Sequence, residues 1–248
     1  MQPDSSHPSE RAERKTALRS RIIEAALELF AERGFHGTTI PDVMKQAAVG
    51  AGSLYRLFES KEARVNAVFQ AAKGKLAHAL TDGLSVELPP RALFDDIWRR
   101  LSTFAIREPK AFRFLELQDH TLYLDRTSRG QELAVLAPIA FGCVEFQQRG
   151  VFRSDVTPDV IIAFIWGAFV GLVKAARLGY LPLGAAQLTA ARDACFRAFA
   201  PDSVNTTFEP QRLPPTEGAE DGSGATSPAR NSGRTTTRGG DARSRRSR

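Results

Sequence analysis

With 248 residues, 42% of them hydrophobic and 25% charged, the chain can build one large or two modest domains around a sizeable core. Its two cysteines, Cys143 and Cys195, make no disulfide framework, and the scattered histidines His7, His36, His78 and His120 show no metal-ligand spacing. The net charge of +6 is unevenly spread: residues 11–73 hold 11 Lys/Arg against 7 Asp/Glu, residues 74–202 hold 15 against 14, and residues 203–248 hold 8 against 5. The basic excess thus gathers near the two ends of the chain, a distribution suited to phosphate contact.

In chain order, residues 1–14 are polar and proline-bearing and read as a disordered arm. They lack the apolar stretch of a secretory signal. A first helix is predicted over residues 16–33, where Leu18, Ile22, Ala25 and Leu29 repeat at helical spacing. Gly34 stands where a helix-ending glycine belongs, with Phe35 placed to fold back on the last turn. Thr39 is the N-cap of a second, short helix, with Pro41 in its first turn and Asp42 facing the helix dipole. Ser60 caps a further helix that continues to about residue 80. Helices follow over 91–107, after Pro109, over 128–149, over 159–178 and over 183–200. Pro138 should kink or split the helix it sits in. The longest apolar stretch, 160–173, stops at Lys174, which argues against a membrane span. Residues 203–248 are rich in Gly, Ser, Thr, Pro and Arg and read as a disordered basic tail. The chain has no period-2 segment of useful length, so the expected class is all-α with about nine helices. The domains are placed at 15–76 and 77–202, and the expected compartment is the cytoplasm.

The most informative stretch is 38–62, TTIPDVMKQAAVGAGSLYRLFESKE. It lays out a short helix, a glycine-bearing turn, a second short helix and the capped start of a third. This is the order of a helix-turn-helix, whose second helix enters the DNA major groove. Val43, Ala47, Val49, Leu54 and Phe58 are its expected internal packing. Tyr55 can pack its ring and still offer a hydroxyl to a phosphate. Lys61 puts charge beside the free N–H groups of a helix start. Thr39 can cap its helix and face the DNA backbone. Lys45 and Arg56 are the long cations nearest the groove. Gly50 can supply either a positive φ or a weak N-cap. Gly50, Ala51, Gly52 and Ser53 offer few side chains to base edges. Readout is therefore expected from Ser53, Arg56, Thr38, Gln46 and DNA shape.

These residues also carry a family resemblance. Phe30-Ala31-Glu32-Arg33-Gly34-Phe35 is followed by Gly37-Thr38-Thr39-Ile40, then Ala47-Ala48-Val49-Gly50-Ala51-Gly52-Ser53-Leu54-Tyr55-Arg56-Leu57-Phe58 and Ser60-Lys61-Glu62. In that order and spacing they resemble the TetR family of bacterial transcriptional regulators. The family often has Gly where this chain has Ala48, and Ser where it has Gly50. The resemblance implies a three-helix reading head followed by a helical domain for effector binding and dimerisation. It also implies a homodimer on a double-stranded operator, and a repressor that a small apolar ligand releases. The last two long helices would form the dimer seam, with Gly167, Gly171, Ala175, Leu188 and Phe196 in it. Pocket candidates are Phe104, Phe112, Leu117, His120, Tyr123, Cys143, Phe146, Trp166 and Arg177. Dimerisation has an independent reason, because doubling one short reading helix on sites about 34–36 Å apart multiplies specificity.

Two other functions compete. A non-specific architectural DNA binder would use the basic tail and ignore ligands. An enzyme would need a nucleophile–base or metal constellation, and no HExxH, GxSxG or GxxxxGKS motif is present. No cofactor or metal is expected beyond the effector.

Overall fold

The structure, a computed structural model, describes residues 8–201. Residues 1–7 of the expected arm and the whole expected tail, 203–248, lie outside the described residues. Among the described residues there are nine α-helices and no strand: α1 (Pro8–Arg33), α2 (Ile40–Ala47), α3 (Ala51–Leu57), α4 (Lys61–Thr81), α5 (Pro90–Arg107), α6 (Pro109–Glu116), α7 (Arg126–Gln148), α8 (Pro158–Arg177) and α9 (Ala185–Phe199).

The start of α1 differs from the expectation. The helix reaches back to Pro8, so residues 8–14, whose composition predicts disorder, are helical. Residues 9–17 are exposed, so good helix formers and an Arg14–Glu10 pair at 3.2 Å sustain these turns, not burial. The rest of α1 buries Ile22, Ala26, Leu29 and Phe30. Gly34 ends it at φ +71°, donating its N–H to the Phe30 carbonyl at 2.9 Å. Phe35 returns to stack on Phe30 with ring centroids 6.3 Å apart. Gly37 has a steric reason as well, since a Cβ there would lie 2.3 Å from the Arg33 carbonyl oxygen.

α4 joins the two halves. It packs against α1 on one side and against α5, α6 and α7 on the other, burying Val65, Val68, Phe69, Ala72, Leu76 and Leu80. The boundary expected at 76/77 falls inside this unbroken helix. Buried polar groups fix its neighbours. Asn66 donates to the carbonyls of Glu62 (3.0 Å) and Tyr123 (2.7 Å), and accepts from the Asp125 N–H (2.8 Å) and the Ser128 hydroxyl (2.7 Å). Its side chain therefore ties the start of α7 to α4 with every position used. Deeper in, the Lys73 ammonium lies between Glu116 of α6 (3.5 Å) and Glu132 of α7 (3.6 Å).

The α5–α9 half is cored by aromatics. Trp98 and Phe112 meet Phe169 edge-on at 5.3 and 5.7 Å. α7 runs through Pro138 without a break, so of the expected kink or split the split does not occur. Pro138 and Ala134 are both exposed, so the carbonyl freed by the missing N–H can be solvated. α8 is long and apolar enough to cross a membrane by length and composition alone, despite Lys174. In the fold it packs on α7 and α9, with Ile161 and Phe169 buried.

His120 supplies a test of this half. It is 6% exposed, and burial lowers its pKa below the usual 6.5. A buried neutral histidine stabilises the fold fully above its unfolded pKa, and that contribution is lost as pH falls through the depressed folded value. Thermal stability is therefore expected to drop below about pH 6.5. His120→Asn should flatten this part of a Tm–pH curve, and an unchanged profile would contradict the assignment.

Candidate DNA-binding head and effector cavity

The reading head is built from local signals. Thr39 closes a full capping box: its side-chain oxygen accepts the Asp42 N–H at 3.3 Å, and Asp42 accepts the Thr39 N–H at 3.0 Å. The Thr39 hydroxyl also donates to the Asp42 carboxylate at 2.6 Å, and this bond, with that from the Thr39 N–H, holds the Asp42 carboxyl below the usual carboxylate range. Between α2 and α3 the positive φ falls on Ala48 (+51°), not on Gly50, which sits in extended backbone and caps α3 without a side chain. Val43, Ala47, Leu54 and Phe58 are buried beneath, and Val49 is partly buried.

Most of the residues expected at the DNA are open to solvent. Thr39, Lys45, Gln46, Gly50, Ala51, Gly52, Tyr55 and Arg56 are exposed, and Ser53 is half-buried. Tyr55 shows 52% of its surface. Thr38 is placed otherwise: it is 1% exposed and its hydroxyl donates to the Gly34 carbonyl at 2.9 Å, so it supports the turn and presents nothing to DNA. Gln46 donates to Glu28 of α1 at 2.7 Å, and Arg56 donates to the Ser53 hydroxyl at 3.3 Å. The Lys61 ammonium rests 4.3 Å over the Phe35 ring, and desolvation there lowers its pKa. A Cβ added at Gly50 or Gly52 would meet no protein atom within 4 Å. The fold itself does not require glycine there.

The second feature is a cavity of about 790 Å³ between α4, α5, α7 and α8. Its walls are almost wholly apolar, including Leu80, Phe94, Ile97, Leu101, Ile139 and Ile165. Polar side chains on the wall include Thr81, Gln148 and the Glu145–Arg149 pair, which is 3.9 Å apart. Cys143 is also on the wall, and burial pushes its thiol up to about 11, so it stays uncharged at neutral pH. This size and lining suit a small apolar molecule.

Residues 22–68 match the family model described as bacterial regulatory proteins of the tetR family, and residues 69–200 match that of the tetracyclin repressor-like C-terminal domain. The chain belongs to the TetR family. It is a DNA-binding transcriptional regulator, from a family of regulators and not of enzymes. Relatives include the HTH-type transcriptional repressor DhaR of Mycobacterium sp. (strain GP1), 27% identical over 169 residues, 64% of this chain and 82% of that protein. The HTH-type transcriptional repressor KstR2 of Rhodococcus jostii (strain RHA1) is 28% identical over 166 residues, covering 63% and 78%. A TetR regulator from Marinobacter aquaeolei VT8 shares the fold with TM-score 0.68 at 21% identity, over 76% of this chain and 98% of that one. FadR of Bacillus subtilis, solved in complex with stearoyl-CoA, shares it with TM-score 0.56 at 18% identity, over 72% and 95%.

Within this TetR-family body the expected pocket residues separate. Cys143, Phe146 and Trp166 stand on the cavity wall. Leu117 and Arg177 border a smaller depression of about 370 Å³ beside Glu116 and Lys174. Phe104 and Phe112 are core residues away from the cavity lining. His120 is buried against Phe69 and Phe114. Tyr123 leaves the pocket altogether: its ring stacks on Phe35 at 4.0 Å and its hydroxyl meets His36 Nε2 at 2.8 Å, at the foot of the reading head. Trp98, missed from the sequence, lines the cavity with an indole N–H that has no partner.

The expected dimer residues also divide. Gly167 and Gly171 are exposed on α8, in line with half-exposed Val160 and Phe164. Ala175 and Leu188 are partly buried. Phe196 is engaged within its own protomer, edge-on to Phe94 and Phe152, with the Arg91 guanidinium 4.8 Å over its ring.

Proposed function

We propose that this regulator is a dimeric, sequence-specific repressor that a small apolar effector releases from its operator. The observation that carries the reading is the double duty of α4. Ala77, Leu80 and Thr81 near its end form part of the cavity wall, while its first turn follows directly on the reading helix. A ligand that favours one position of α4 must also favour one position of the head. Repression is supported by the relatives named repressors, and an apolar ligand by the lining. The exposed line of Val160, Phe164, Gly167 and Gly171 supports a helix-to-helix seam between two copies. In this reading the protein works in the cytoplasm, where it meets DNA.

The chain's two tryptophans, Trp98 and Trp166, both line the cavity, so intrinsic fluorescence reports its occupancy. Apolar compounds that change this fluorescence saturably should also weaken a mobility shift with DNA flanking the protein's own gene. Compounds that fill the cavity without altering DNA affinity would overturn ligand control. Gly52→Leu tests the head separately. It should not lower Tm, since a Cβ there meets no neighbour and leucine is a better helix former than glycine, and it should lower DNA affinity at least about ten-fold by blocking close approach. Unchanged affinity would show that this surface does not meet DNA.

A further inference from the structure

Two cationic side chains are buried among the described residues, Lys73 and Arg64. Lys73 has two carboxylates beside it. Arg64 is 1% exposed, and neither of its terminal nitrogens reaches an acceptor or solvent. Desolvation lowers its pKa, yet a guanidinium stays protonated in proteins, so the free protein carries an unpaired buried charge. An apolar side chain would fill this place at lower free energy. Such a group calls for a partner that the isolated chain does not supply.

Its position suggests which partner. Arg64 lies four residues after the Ser60 cap, in the opening turns of α4. Helical side chains lean toward the N-terminus, which for Arg64 is the side of the Ser60–Lys61 turn. Tyr55 of the reading helix and Glu62 are within electrostatic reach. On the outside of this corner Tyr55, Glu59 and Ser60 are exposed. At the start of α4 Ser60 accepts the Ala63 N–H at 3.0 Å and the Glu62 carboxylate bonds its own N–H, and the positive end of this 21-residue helix favours an anion.

We propose that Arg64 is a latent phosphate ligand: on DNA its guanidinium pairs with a backbone phosphate seated at the start of α4, beside Ser60 and Lys61. The inference rests on the DNA-binding role of the chain. For the fork to meet a phosphate the Arg64 side chain must move out of its buried position; the phosphate then accepts two parallel N–H bonds and neutralises the charge. The contact carries no sequence information. It contributes affinity and counterion release on any duplex. The strain of the unpaired charge in the free state is relieved only in the complex.

The test compares wild type, R64M and R64K on DNA flanking the protein's own gene and on a random duplex of equal length, across a salt titration. R64M should keep the wild-type helical circular dichroism and melt higher. It should bind both duplexes about ten-fold more weakly, with the slope of log affinity against log salt smaller by about 1. R64K keeps the charge and loses the fork, so its slope should match wild type while affinity falls about three-fold. If R64M does not fold, R64K carries the test, and wild-type affinity in R64K overturns the proposal. R64M binding like wild type overturns it while DNA binding by the protein stands. Wild type binding neither duplex overturns the DNA-binding role itself. Inorganic phosphate at millimolar concentration raising the Tm of wild type but not of R64M, with DNA affinity equal in both, overturns it in favour of a free-anion site.

Discussion

Gly171→Glu should turn the protein into a monomer without harming the protomer. A Cβ at Gly171 meets nothing within 4 Å, and the residue is exposed on α8, so the protomer accommodates the new side chain. Replacing a helical glycine with glutamate even favours the helix by about 0.5 kcal/mol. In a close-packed seam between two α8 helices, the same carboxylate has no room and faces its own copy. Sedimentation should show one chain where wild type shows two. Operator affinity should fall at least about 100-fold, because each half-site is then bound alone. A dimeric Gly171→Glu with intact operator binding would remove α8 from the interface.

Lys73→Met should cost about 3 kcal/mol, or about 10 °C in Tm, although methionine matches much of the lysine's volume. The loss comes from the carboxylates left behind. The Glu116 side chain is only 10% exposed, and without Lys73 it keeps the Trp166 indole N–H, at 2.7 Å, as its remaining close donor. Adding Glu116→Gln removes the stranded charge and retains an acceptor for Trp166. The double variant should therefore recover more than half of the lost stability by denaturant melts. Two additive losses would show that the pair is not coupled. Lys73, Glu116 and Trp166 also connect α4 to the cavity wall, so the same double variant should alter any effect of cavity ligands on DNA binding.

The head was largely legible in the sequence because its signals are local. Gly34, the Thr39–Asp42 box and Ser60 each fix a helix end through neighbours a few residues away. Two head details were not legible. Thr38 and Thr39 look alike as residues, and only the fold shows that one hydroxyl turns inward to Gly34. The burial of Arg64 is equally hidden, since nothing in residue type announces it. At the turn, residue type left Gly50 either a positive φ or a weak N-cap; the fold makes it the N-cap of α3 and puts the positive φ on Ala48.

The body was less legible. Helical periodicity marks one face of each helix as apolar, but it does not separate a side chain that fills the core from one that borders an empty volume. Phe104 and Phe146 are equivalent in pattern, and only the packing of α4, α5 and α7 puts Phe146 on the cavity wall. Tyr123 was drawn away by a partner 88 residues distant, Phe35, through contacts that no local pattern encodes. Phe196 shows the limit for the interface: it has the spacing of a seam residue, and its own protomer occupies it through Phe94 and Phe152.

The central claim is a two-fold DNA reader under ligand control. Hydroxyl-radical footprinting on the DNA flanking the protein's own gene tests it most directly. The expected result is two protected segments related by a dyad, with centres about 34–36 Å apart or a multiple of that spacing. Protection should fade when a compound saturates the Trp98–Trp166 cavity. Uniform protection along the fragment, equal on random DNA at physiological salt and indifferent to cavity ligands, would contradict the account.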